Sequence, residues 1–300
     1  MPNSLADVNS KKAKALPGAL KKHFRVASES VMSALKLCFL IQVVLAMPAA
    51  LAQRPSEQDR PLPSQAKQVG GVAVPVPKEI FHSLDQFPDA NWSLVKRPEV
   101  ARWKSHGDQT QIAILLGVMT AEGFIAMEAK DSTEVKSIGN RVLALARGLG
   151  IEERAVRRAR SIIDLADKEE WNEARKEWDR VVSDLESGMI ELKSAELSQL
   201  ISLGGWLRGT EALSALVLQN YSPERAELIR QPGLASYLEK QLLAISSDIR
   251  TRPVVVKLLD GIQTIRSLLE TKNGPLSEET VRKVYGVCAE LVPLSSRPLE

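Results

Sequence analysis

Residues 112 to 127, "IAILLGVMTAEGFIAM", are apolar on every face of a helix apart from Thr120 and Glu122. A helix of that kind has no side to offer to water, so other helices must enclose it. The rest of the chain can supply them. From about residue 78 onward nearly every segment carries helical periodicity, and no segment alternates with period two between turns. The run is also shorter than the ~20 residues that cross a bilayer and is interrupted by polar side chains, which favours a core helix over a membrane span.

Helix starts can be placed by chemistry, because the first turn leaves backbone N–H groups that Asp, Ser or Thr can satisfy. Asp108 with Gln111, Asp131 with Glu134, and Asp167 with Glu170 have the spacing of a capping box. Ser222 precedes Pro223, and Thr251 stands two before Pro253, so proline falls in or near a first turn where its missing N–H costs nothing. Ser277 opens a last helix after the stop signal "NGP" at residues 273 to 275. These signals predict helices over 109 to 130, 132 to 147, 152 to 166, 168 to 192, 195 to 220, 223 to 230, 233 to 246, 252 to 271 and 278 to 292, with shorter pieces between 78 and 104. The expected fold is all-α, a multi-helix bundle of about nine antiparallel-packed helices in a single domain, 78–296. Helix lengths drift, and no 34-residue period marks a tetratricopeptide array.

The N-terminal part reads differently. "LCFLIQVVLAMP", from residue 37, follows Lys36 and precedes "AALA", with Ala50 and Ala52 in the positions of an A-x-A cleavage site. Residues 1–52 are therefore expected to be a signal peptide of bacterial type, cleaved after Ala52, and the protein is expected to be exported to the periplasm or outside the cell. The basic stretch "KKAKALPGALKKHFR" is long for such a leader, whereas a start at Met32 gives one of about 21 residues, so Met32 is the expected true start. Residues 53–77, rich in Pro, Gln and Ser, read as a disordered or extended tether.

Removing the leader changes the electrostatics. Residues 1 to 52 carry seven of the 40 Lys/Arg and two of the 37 Asp/Glu, which leaves 33 and 35 and turns a net +3 into about −2. With that goes the electrostatic case for a nucleic-acid partner. Cys288 is the single cysteine beyond the leader, so no disulfide within the mature chain is expected. It shares a helical face with Val284 and Leu291 and is expected to be a buried structural thiol.

A second stretch, "LISLGGWLRGTEALSALVL" at 200 to 218, raises the question of a site. Ala195, Ser198, Ser202, Gly205, Gly209 and Ala212 recur at gaps of three and four and form one stripe of small side chains. Ala113, Gly117 and Ala121 form a matching stripe on the apolar helix, so the two helices are expected to cross in close contact at Gly117, Gly205 and Gly209. A hinge at Gly204 and Gly205, or a ligand lying on the bare backbone, are the competing explanations. Arg208 and Glu211, at i and i+3, are the charges in the middle of that helix. Together with Glu122 they are the candidate ligand or partner contacts. The plainer alternative is an internal ion pair that fixes helix register, because a buried charge must be paired. Trp171, Ala174, Trp178, Val181 and Leu185 form a seam read as core, and "EERAVRRARS" from 152 to 161 reads as a solvated face.

The absences narrow the function. Beyond the leader there are two histidines, His82 and His106, with no Glu-x-x-His or Cys-x-x-Cys spacing, so no metal or haem site is expected. No nucleophile elbow, Walker A or dinucleotide glycine motif is present, and no cofactor is expected. The leading expectation is a non-enzymatic module acting by protein–protein interaction or in a structural role, with a protein partner or a homo-oligomer. The alternative is a small-molecule or lipid-binding bundle with a pocket near Arg208 and Glu211. An acid/base hydrolase built on carboxylates alone stands behind both.

Overall fold

The computed structural model describes residues 67–69, 72–74, 83–87, 90–105, 108–151, 153–191, 194–270 and 274–297, all within the contact unit Leu62–Glu300. The expected signal peptide, most of the expected tether, His82 and His106 lie outside these residues. The described residues form an all-α bundle. Its helices are α1 (Gln109–Glu128), α2 (Ser132–Gly148), α3 (Glu153–Asp167), α4 (Trp171–Glu191), α5 (Ala195–Gln219), α6 (Pro223–Glu227), α7 (Pro232–Ala244), α8 (Ser247–Arg250), α9 (Pro253–Leu269) and α10 (Glu278–Leu291).

Four of the ten starts are made by the expected caps, and Ser194 adds a fifth that the sequence signals did not single out. The Asp108 carboxylate accepts the Gln111 N–H at 3.3 Å, Asp131 that of Glu134 at 3.0 Å, and Ser277 that of Thr280 at 3.2 Å. Ser222 does the same for Arg225 ahead of Pro223, and Ser194 for Leu197 at the head of α5. Each such cap contributes roughly 0.5–2 kcal/mol. Asp167 does not cap. It is the last residue of α3, Glu169 turns through the left-handed region with φ 59°, and Glu170 supplies the carbonyl that accepts the N–H of Ala174 at 2.9 Å. Asp167 instead forms an ion pair with Lys136 of α2.

Packing centres on α1 and α5. Every residue from Thr110 to Met127 is buried, and so is every residue from Ser198 to Ser214. Helices α2, α3 and α4 follow α1 as successive neighbours, α5 returns to lie along α1, and α10 packs on α5, with α7 and α9 beyond it. Helix α1 has 20 residues and by length and composition alone is enough to cross a membrane, contrary to the reading of the run as too short. Its surroundings are nonetheless protein: 94% of its most apolar window is buried in the bundle.

Within the expected tether, two short extended segments are described. Lys67–Val69 (β1) pairs antiparallel with Val72–Val74 (β2), in register Lys67 with Val74 and Val69 with Val72. Gly70 and Gly71 separate the two strands in sequence, and two glycines between short apolar runs are a hairpin signal. β1 lies against α4 and β2 against α5, so this piece is part of the bundle surface.

Candidate functional site

The two small-residue stripes do meet. A Cβ added at Gly117 would stand 2.0 Å from the Ile201 carbonyl oxygen and 2.6 Å from the Gly205 nitrogen. One added at Gly204 would stand 2.1 Å from the Ile114 carbonyl oxygen and 3.2 Å from the Val118 nitrogen. Glycine is required at both positions because backbone lies directly opposite. Gly204, assigned by the sequence to a possible hinge, is a contact residue, and α5 runs unbroken through it. Gly205 offers its backbone to Gly117, and Gly209 is buried further along the same helix.

Beyond the glycines the same helix pair changes character. Arg208, 1% exposed, donates from Nε to Glu122 Oε2 at 2.6 Å. Its Nη1 reaches Glu211 Oε2 at 3.4 Å and its Nη2 donates to the Val95 carbonyl. Glu122, fully buried, has its other oxygen occupied by the backbone N–H of Arg97 at 2.6 Å. Glu211 Oε1 accepts from Arg97 Nε at 2.8 Å and from its Nη2 at 2.5 Å. Nη2 of Arg97 also donates to the Ala289 carbonyl of α10 at 3.3 Å. Two guanidinium groups and two carboxylates thus neutralise one another, and all four carboxylate oxygens are occupied.

The segment that brings Arg97 is the one that the sequence left as short helical pieces. Two single 3₁₀ turns, Trp92–Leu94 and Val100–Arg102, flank it. Trp92 is buried edge-on to Phe124 of α1, with ring centroids 5.9 Å apart, and the Arg175 guanidinium of α4 stacks 4.3 Å from the centre of the same Phe124 ring. Next to Arg97, the Lys96 ammonium meets Asp131 at 2.6 Å and Glu134 at 3.5 Å. Burial pulls the Lys96 ammonium down, but the Asp131 hydrogen bond and the two carboxylate charges leave it above its ordinary value. Burial, with the charges of Glu122 and Asp131 adding to it against Lys96, raises Glu134. Sequence reasoning missed both cations, although "KRP" sets two adjacent positive charges in a stretch without helical period, next to a bundle that buries three carboxylates.

This cluster has little chemical freedom. Cys288, which feels the charges of Glu211 and Arg208, is fully buried. Burial, and then the Glu211 charge against the opposing Arg208, pushes its thiol well above the ordinary range, which disfavours the reactive thiolate. The thiol is structural, with Val284 and Leu291 buried on the same face as expected. No group of three or more His, Cys, Asp or Glu side chains among the described residues is placed to hold a metal ion. The tryptophan seam packs into or against the core where it is described: Ala174, Trp178 and Val181 are buried, Trp171 is half-buried against the core, and the Trp178 ring lies against Gly123 of α1. Compared with protein families, curated proteins and solved structures, the chain matches none.

Proposed function

We propose that this chain is an exported helical module, acting by protein contacts or as a structural component in the periplasm or outside the cell, and catalysing no reaction of its own. The observation that carries this reading is the closure of the central cluster. Arg208, Glu122 and Glu211, the residues best suited by type to hold a ligand, are spent on one another, on Arg97 and on the Val95 carbonyl. A ligand would have to break buried ion pairs to reach them, at a cost of several kcal/mol. That makes a pocket near Arg208 and Glu211 the weaker of the two binding readings. Export rests on the leader pattern before Gln53.

Cell fractionation with N-terminal sequencing, followed by native mass spectrometry of the same sample, tests the proposal. The expected chain begins at Gln53, is found in the exported fraction and carries no bound small molecule. A stoichiometric small molecule released by Arg208→Met, or an unprocessed chain retained in the cytoplasm, overturns it.

A further inference from the structure

The surface carries a second grouping of charges that the bundle does not use. α9 and α10 border an open groove of about 620 Å³, with Gly261, Leu291 and Leu294 on its floor and Lys257, Asp260, Glu290 and Arg297 around it. All four charged residues are exposed, and none of the four side chains has an ion-pair or hydrogen-bond partner among the described residues. That contrasts with the neighbouring surface, where Arg266 is paired with Glu239 and Glu270, and Arg282 with Glu278.

Their arrangement along the groove can be read from the packing. Arg252, just before α9, pairs with Asp108 at the start of α1, and the Gln111 side chain one turn on donates to the Arg297 carbonyl at 2.7 Å. The start of α9 therefore lies at the same end as Arg297, and the two walls run antiparallel, with Gly261 packed against Leu291 midway. Lys257 and Arg297 share one end. Asp260 and Glu290, adjacent in sequence to Gly261 and Leu291, lie together about one helical turn further along.

A face that carries two cations and, beside them, two carboxylates is self-complementary under a twofold axis passing between the pairs, because each copy sets its cations over the other's carboxylates. We propose that a second copy of this chain docks here, pairing Lys257 and Arg297 of each protomer with Asp260 and Glu290 of the other. The proposal rests on the protein-contact reading above and names its surface.

Sedimentation velocity of the mature chain over a range of concentration tests it, with two charge-reversed proteins, Lys257→Glu with Arg297→Glu, and Asp260→Lys with Glu290→Lys. The wild type is expected to dimerise. Each reversed protein alone is expected to be a monomer, with its dissociation midpoint raised more than ~10-fold and its thermal melt unchanged, since like charges now face each other. Mixed in equal amounts, the two reversed proteins are expected to restore a heterodimer. A monomeric wild type, or a dimer that neither reversal weakens, or a mixture that stays monomeric, overturns the proposal. A dimer indifferent to these charges removes this surface while leaving the protein-contact reading in place, whereas a retained small molecule removes that reading.

Discussion

The α1–α5 pair is held in two different ways along its length. Around Gly117 and Gly204 the helices touch backbone to backbone, with no side chain between them. One to two turns further on, Glu122 faces Arg208 and Glu211, and the gap is filled by ions and by the segment carrying Arg97. The first half fixes how close the helices come and tolerates no added atom. The second half fixes which residue stands opposite which, because the guanidinium must find its acceptors at hydrogen-bond distance. Non-directional contact sets distance, and directional contact sets register.

Gly117→Leu attacks the first half and is expected to have the largest effect. Even a methyl group at Gly117 would overlap the Ile201 carbonyl, and the obstacle is backbone that cannot rotate aside. The loss should go well beyond the ~1–3 kcal/mol typical of overpacking and exceed that of any Arg208 variant, seen as a collapse of the cooperative thermal transition by circular dichroism. Gly286→Ala is the matched control: nothing lies within 4 Å of its added methyl, so it should gain about 0.5–1 kcal/mol from helix propensity. Equal stability of the Gly117 variant and the wild type would mean the helices are not this close.

Arg208→Met attacks the second half and should cost roughly 3–5 kcal/mol in urea denaturation, because it strands the buried Glu122 carboxylate. Replacing Glu122 and Arg208 together by Met should recover most of that loss, since Glu211 keeps its pairing with Arg97 and no buried charge is left alone. If the double variant were as unstable as the single one, the ions would be contributing net stability and not only register.

The smallest expected effect concerns the rim of the second half. The Lys96 hydrogen bond, opposed by burial and helped by the Glu134 N–H, holds Asp131 below its ordinary 3.8. The stability this supplies is complete above 3.8 and is lost as pH falls through the lowered folded value. Glu134 acts with the opposite sign: its raised folded value means that the folded state gains stability as pH falls through it. Asp131→Asn should therefore flatten the acid limb of the stability profile by less than ~1 kcal/mol, as for other partly exposed pairs. An acid limb as steep as the wild type's would assign it to other carboxylates.

The bundle was legible because helix signals are local. Asp108, Asp131, Ser222 and Ser277 each cap a turn three residues away, so a short window of sequence contains both partners. Asp167 misled because Glu169 takes a left-handed conformation that sequence normally assigns to glycine, moving the break three residues on. The crossing was legible as two stripes of small residues, but the stripe alone could not say that Gly204 would face α1 as closely as Gly205 does. Glu122, Arg208 and Glu211 stood out because charge is rare in apolar helices. Arg97 did not, since it lies 114 residues from Glu211 on a segment with no period to mark which way it faces.

The Arg97 contacts also set an order of events. Its guanidinium bonds the carbonyl of Ala289, 192 residues away in the last long helix. A chain emerging N-terminus first can form α1 and its caps early, but it cannot finish this cluster until α10 is present. The entropic cost of closing so long a loop falls on the final step. Fragments truncated before α10 would therefore hold the central helices with one of their fastenings missing.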